Sequence, residues 1–547
     1  AAADRYNRAM FSSPALRSLV LLLLALALAT PVLVVAGSWL AGASPNWGHL
    51  SSTVLPSYLR HSLFLALFTG TGTLLIGVAA AWAVSRFRFP GRRVLEWALL
   101  LPLACPAYLI AYTWTGMLAS EGALQQALPL PLPDIRSPAG AGLMLTLVLY
   151  PYVYLMTRAA FVSQSAVALE VARTLGAGPW RRFFRVALPL ARPAIIAGLA
   201  LVLMETLADY GTVAYFGVPT LSTGIYRTWF GLGDAMAAAQ LAGVLLLAMV
   251  VLLTLERRAR KERRISVASA RAAAPLPLGR GPGLLLAAAL WLPVLLGFIL
   301  PALQLLVWSL PRWRDLAEPG FLGLLGTSLL IALCTALAAT GLGLLLIWAR
   351  RLRGDRPRRL AAGLAGFGYA VPGTVLAVGV VLVLASLDRG LNDLLASVGL
   401  PEPGLLFSGT LFAVVFACTV RFLTIPIQGL DAGLQNLSPN LDNAARSLGT
   451  ASLPMLRRVH LPLLRVPLAT SALLVFVDTL KELPAALVLR PFNTNTLAVR
   501  AFELASDERL ADAALPALTI LLAGVAPVIL LTRSIRNPHQ ESPHADH

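Results

Sequence analysis

The sequence predicts an all-α integral membrane protein of twelve transmembrane helices, arranged as two parallel six-helix repeats. Three observations predict it: long apolar runs, arginine clusters that alternate between them, and an internal duplication. Of the 547 residues 57% are hydrophobic and only 13% are charged, with a mean hydropathy of +0.75. An ordinary soluble domain carries about 25% charged residues, so the natural solvent of this chain is lipid.

A helix satisfies its own backbone in lipid and needs about 20 apolar residues to cross. Runs of that kind centre near Leu28, Leu74, Pro106, Val148, Leu199 and Leu246, and again near Val294, Leu337, Val375, Val415, Leu473 and Ile520. The first, from about Leu19 to Leu40 behind Arg5, Arg8 and Arg17, is long enough to span and reads as an uncleaved helix.

Arginines follow every second run: Arg86, Arg88, Arg92 and Arg93; then Arg173, Arg181, Arg182 and Arg185; then the stretch Arg257–Arg264; then the stretch Arg350–Arg359; then Arg446, Arg457 and Arg458; then Arg533 and Arg536. The intervening loops carry little net positive charge. Positive loops stay in the cytoplasm. The expected location is the bacterial inner membrane, multi-pass, with both termini cytoplasmic. The net charge of +18 does not indicate nucleic acid, because no basic stripe is interleaved with stacking aromatics. Cys105, Cys334 and Cys418 all fall within apolar runs and read as buried free thiols.

The duplication is legible residue by residue. Ala172-Arg173-Thr174-Leu175-Gly176 returns 273 residues later as Ala445-Arg446-Ser447-Leu448-Gly449, and Leu188-Pro189 returns as Leu461-Pro462. The same offset sets Glu205 on Asp478, Asp209 on Glu482, Arg227 on Arg500 and Asp234 on Asp507. Upstream the offset is 266, with Ser62 on Ser328, Trp82 on Trp348 and Pro106 on Pro372. Six spans per copy give both copies one orientation. The expected division is a first half at 1–265, a cytoplasmic linker at 266–280, and a second half at 281–547 with a polar tail.

The loop after the fourth span reads Glu170-Val171-Ala172, then Gly176, Val186, Leu188 and Pro189; its copy reads Asn443-Ala444-Ala445, then Gly449, Val459, Leu461 and Pro462. Small alanines let a short helix press on a partner, glycine allows a tight turn, and Leu-Pro suits a first helical turn. This pattern resembles the EAA loop of the permease subunits of bacterial ATP-binding-cassette (ABC) importers. Asn443 departs from it, with Asp442 adjacent but out of register.

The resemblance covers nearly the whole chain and looks most like the fused two-half permeases of ferric-iron importers. The segments that prompt this are Leu207–Val213, Gly224–Phe230, Leu480–Ala485 and Ala505–Leu510. It implies the type I ABC importer permease fold and a non-catalytic transport subunit without a cofactor of its own. Two copies of a cytoplasmic ABC ATPase would bind ATP and Mg, and a periplasmic iron-binding protein would deliver the cargo. Glu170, Ala172, Gly176, Leu188, Pro189, Asn443, Ala445, Gly449, Leu461 and Pro462 would then couple the permease to the ATPase. Thiamine, polyamine and phosphonate permeases are relatives.

The chain itself has no phosphate loop, since its two lysines, Lys261 and Lys481, follow Arg260 and Leu480 rather than glycine. The paired loops speak against an ion-coupled secondary transporter. The six histidines form no ligand spacing and no nucleophile constellation appears, which speaks against a membrane enzyme.

Glu205 and Asp209, four apart, are expected on one face of the fifth span, as are Asp478 and Glu482 on the eleventh. Ionisable groups within spans are expensive and tend to face a cavity, and hard cations prefer oxygen ligands. These four acids either line the cargo's path, with no metal stably held, or pair with Lys481 or a nearby arginine, or cap helix ends. Tyr108, Tyr112, Tyr150, Tyr152 and Tyr154 either add oxygens to that path or anchor at the membrane interface.

Overall fold

The computed structural model describes residues 14–127, 134–163, 171–261, 275–352, 355–366, 368, 371–435 and 437–536. Ten of its helices are long and apolar enough to cross a membrane singly: Ser18–Ala41, Leu55–Arg86, Pro138–Ser163, Pro179–Ala208, Ala235–Ala259, Arg280–Ala317, Pro319–Leu352, Gly373–Ser397, Ser452–Leu480 and Leu510–Ile529. Counting each of two bent pairs as one span, Arg92–Ala104 with Ala107–Leu118 and Leu411–Phe422 with Thr424–Gln435, gives twelve among the described residues. Eleven of the predicted centres fall on one of these helices, and Pro106 falls at the bend of the first pair. Leucines such as Leu63, Leu67 and Leu75 stand exposed along the second span, as a lipid-facing side requires.

Proline accounts for several departures from straight helices. Pro106 is expected at the middle of the third span; instead it stands at a bend of 92°, with the segment Ala107–Leu118 beginning behind it. Residues before proline avoid the helical region, and Cys105 is extended. Pro372 plays the same part before Gly373–Ser397. The Leu-Pro pairs at Leu188, Leu300 and Leu461 do not open new helices after a loop. A wide π turn precedes each of them, at Phe183–Ala187, Leu295–Ile299 and Leu456–His460, and the helix runs on through Pro189, Pro301 and Pro462. Proline lacks the amide that would reach back four residues, and its ring clashes with that carbonyl; one π turn absorbs both effects.

Packing divides the chain into two compact units that cut across the sequence repeat. One gathers the described residues up to Ala43 with Pro319–Val499; the other gathers Ser44–Glu318 with the described residues from Arg500 onward. In the first unit, the opening span lies so close to the ninth that a Cβ at Gly379 would strike the carbonyl of Pro31. There too the Ser18 hydroxyl donates to Asp355 at 3.1 Å and accepts from Arg358 Nε at 3.1 Å. In the second unit the seventh span is held by Trp114, whose Nε1 donates to the Leu296 carbonyl at 3.0 Å. The described part of the expected linker contributes Leu276–Pro277, which pairs in parallel with Phe87–Arg88 just after the second span.

The second, fourth and fifth spans pack through glycine. A Cβ at Gly77 would lie 2.8 Å from Val153 Cβ, and one at Gly198 would lie 2.9 Å from Val153 Cα and 3.1 Å from the Tyr152 carbonyl. Small residues allow this approach between membrane helices, where apolar side chains gain nothing by leaving lipid. Gly198→Leu is therefore expected to destabilise the permease by about 1–3 kcal/mol through overpacking. Gly326→Leu, where a Cβ meets nothing within 4 Å, is the control. Thermal unfolding in detergent checks both.

Candidate coupling loops and acidic helix breaks

Both EAA-like loops fold in one way around their glycine. In the first, Glu170 lies outside the described residues and 171–174 are helical. The Gly176 amide donates to the Arg173 carbonyl and the Ala177 amide to the Ala172 carbonyl, each at 3.0 Å. In the second, the helix Pro439–Ser447 ends with Gly449 donating to Arg446 at 2.9 Å and Thr450 to Ala445 at 3.0 Å. These are paired Schellman caps, which place the glycine in the left-handed region; φ is +76° at Gly176 and +73° at Gly449. Ala445 is buried under its helix and Asn443 is exposed. Leu188, Pro189, Leu461 and Pro462 lie in the continuous helices that follow.

The outward faces of the two loops differ. Leu175, Trp180 and Phe184 are exposed in the first, with the Trp180 and Phe184 rings stacked at 6.1 Å. The second exposes Leu448 and Leu453, and Arg457 takes the place of Phe184.

The four acids stand at helix breaks rather than along a helical face. The fifth span ends at Ala208, so Glu205 lies in its last turn and Asp209 follows with extended backbone (φ −61°, ψ 130°). Asp209 accepts from the amides of Thr212 and Val213 and from the Thr212 hydroxyl, each at 3.1 Å, and so caps the short helix Gly211–Tyr215. The eleventh span ends at Leu480. Asp478 pairs with Lys481 at 2.8 Å. Glu482 Oε1 accepts from the Ala485 amide at 3.1 Å and from Arg421 at 2.7 Å, deep in the protein. Sequence reasoning missed Arg421, although an arginine in the apolar run of the tenth span was the signal.

The repeat offset slips beyond these breaks. The Leu221 amide donates to Ser62 Oγ at 3.1 Å, and the Leu497 amide donates to Ser328 Oγ at 2.8 Å. Ser62 and Ser328 are repeat partners, so Leu221 matches Leu497. Gly233 and Glu508, both left-handed at φ 64° and 62°, then match to within one residue of the same register. The second copy carries extra residues in the turn before Leu497. Arg227 is thus not the partner of Arg500, nor Asp234 of Asp507.

Tyr108, Tyr112, Tyr150 and Tyr154 are buried among helices, and Tyr152 is half-buried. Tyr112 reaches the Ala513 carbonyl and Tyr154 the Glu96 carbonyl. Cys105 and Cys418 are buried, whereas Cys334 is exposed on the eighth span, contrary to expectation.

The binding-protein-dependent transport system inner membrane component family matches residues 73–265 and 339–537. The chain belongs to that family. The matched stretches begin 266 residues apart, the upstream repeat offset. The chain is 25% identical over 525 residues to the Fe(3+)-transport system permease protein FbpB 2 of Haemophilus influenzae, covering 94% of this chain and 97% of that one. It is 27% identical over 518 residues to the thiamine transport system permease protein ThiP of Salmonella typhimurium, covering 88% and 90%. Against the molybdenum transport system permease protein ModB of Escherichia coli it is 31% identical over 228 residues, which is 40% of this chain and 96% of that one. It is a fused, two-half permease of an ABC importer, an inner-membrane transport subunit that works with a binding protein and an ATPase.

Because a Cβ at Gly176 or Gly449 meets nothing within 4 Å, substitution there acts on the backbone alone, at about 1–2 kcal/mol for a left-handed non-glycine residue. Gly449→Val is expected to leave global thermal stability nearly intact while lowering ATP-driven transport; unfolding and uptake measured side by side check this.

Proposed function

We propose that this permease imports ferric iron, delivered by a periplasmic iron-binding protein and driven by two copies of a cytoplasmic ABC ATPase. The observation that carries the reading is the similarity to a Fe(3+) permease along both halves, over 94% of the chain. Two coupling loops on one chain, each closed by the same glycine cap, call for two ATPase subunits, which bind the ATP and Mg. Both termini then lie in the cytoplasm with the arginine-rich loops. When the ATPase pair closes, it moves both loops, and the two halves open alternately outward and inward.

We assign Asp209, with Glu205 one turn before it, to the cation's route. Asp478 and Glu482 are each ion-paired with a side-chain cation, Lys481 and Arg421, whereas the bonds to Asp209 come from neutral donors. Thiamine is the second reading, favoured by the 27% identity with a thiamine permease over 88% of this chain.

Proteoliposomes holding the permease, its ATPase and its binding protein distinguish the two. ATP-dependent accumulation of radioactive ferric iron is expected, and Glu205→Gln is expected to reduce it while basal ATPase activity stays. Accumulation of thiamine in place of iron assigns the second cargo. An ATPase that ignores the permease refutes the coupling-loop assignment.

A further inference from the structure

Three ionisable residues of the second half have no ionisable counterpart in the first. At the repeat offsets, Arg351, Asp442 and His460 correspond to Ser85, Leu169 and Ala187. The three meet at the second coupling helix. Asp442 lies in the first turn of Pro439–Ser447. Its Oδ2 accepts from Arg351 Nε at 2.8 Å, and its Oδ1 lies 2.9 Å from His460 Nε2. Arg351, at the cytoplasmic end of the eighth span, also donates to the carbonyls of Leu434 and Leu437 at 2.8 and 3.0 Å. His460 closes the π turn before Leu461.

One carboxylate therefore fastens the coupling helix to the eighth and eleventh spans and, through the guanidinium, to the end of the tenth. Asp442 is 6% exposed and His460 1%. Burial opposes ionisation of Asp442, but the bonds from Arg351 and His460 outweigh it and hold the carboxyl below its ordinary range. In the first half the Ser85 hydroxyl is buried with no hydrogen-bond partner among the described residues, and Ala187 is fully buried.

We propose that Arg351, Asp442 and His460 form a clamp that makes the second coupling helix a rigid lever on the membrane spans. They are positioning residues, standing in for the carboxylate that this loop lacks at Asn443, and they make the two halves couple unequally. The proposal rests on the importer reading above. A buried ionic network adds little net stability over an apolar replacement of similar shape, and where it is kept it can serve to specify one geometry; here that geometry is the seat of a docking helix.

The test replaces the three residues by those at the first-half positions, Arg351→Ser, Asp442→Leu and His460→Ala together. No charge is left buried alone by the triple replacement, so the protein is expected to fold, at a cavity cost from the smaller Ser and Ala side chains. In the complete transporter in lipid, ATPase binding is expected to persist with a modest loss of thermal stability. Amide exchange in Pro439–Ser447 is expected to rise about tenfold, and cargo imported per ATP to fall on the order of threefold to tenfold. His460→Gln keeps a donor for Asp442 and is expected to preserve both values, whereas His460→Ala loses them in part; this pair decides the matter if the triple variant misfolds. Unchanged exchange overturns the clamp. Faster exchange with unchanged cargo per ATP reduces it to structural support and overturns the lever. Wild-type protein that moves no cargo with ATP refutes the importer reading instead, and the exchange measurement, which needs no cargo, still judges the clamp.

Discussion

Inside lipid every backbone amide and carbonyl must find its partner within the protein, and an unmet group costs several kcal/mol. The architecture follows from how this chain meets that demand where it cannot stay helical. Proline removes a donor at Pro189, Pro301 and Pro462, and a π turn precedes each. The fifth and eleventh spans stop short, and the amides freed in the next turn are taken up by Asp209 and Glu482. The helices that begin at Leu221 and Leu497 start under the hydroxyls of Ser62 and Ser328. The acids at the breaks are thus part of the backbone's own hydrogen bonding before they are anything else, and any role toward a cargo is built on a capping carboxylate.

The two copies share these neutral devices and differ in the charged ones. Schellman caps, π turns and serine acceptors recur at matching positions. Ion pairs do not. Asp431, which pairs with Arg350, stands where the first half has Arg158, which pairs with Glu96. Glu482 has Arg421, while the equivalent of Arg421 in the first half is Val148. Backbone geometry is demanded equally of both halves by the fold. Charge is not, so after duplication each half has been free to place it differently, and a fused chain can hold that asymmetry permanently.

Much of this was legible because the governing patterns are local. Apolar runs mark spans, and a glycine four residues past an alanine marks a helix cap that the structure reproduces twice. What was not legible depends on distant partners. The run Glu205-Thr206-Leu207-Ala208 reads as continuing helix, and only the turn that follows shows Asp209 to be a cap. The register beyond Leu489 was drawn by matching Arg227 to Arg500 and Asp234 to Asp507, side chains of identical type; the serine-to-amide bonds, which bind segments some 160 residues apart, set it differently. The packing of the first span with the ninth leaves no trace in either segment alone, except that Gly379 must be glycine.

Arg421 and Glu482 show why such long-range facts matter for a transporter. An arginine and a glutamate within the spans are costly apart, and removing one partner of a buried pair typically costs about 3–5 kcal/mol because the other charge is left uncompensated. They meet where three helices are interrupted: after Pro372 at the start of the ninth span, beside the bend at Leu423 in the tenth, and past the end of the eleventh at Leu480. A Cβ at Gly373 would run into both charged groups, so the ninth span can approach only because that residue has none. The pair holds three interrupted helices to one another without a continuous backbone through any of them. Interrupted helices are the joints at which a bundle can move without opening its helical hydrogen bonds. An ion pair across the joints fixes their ends to one another, so the break in each helix is bridged by side chains where the backbone cannot bridge it.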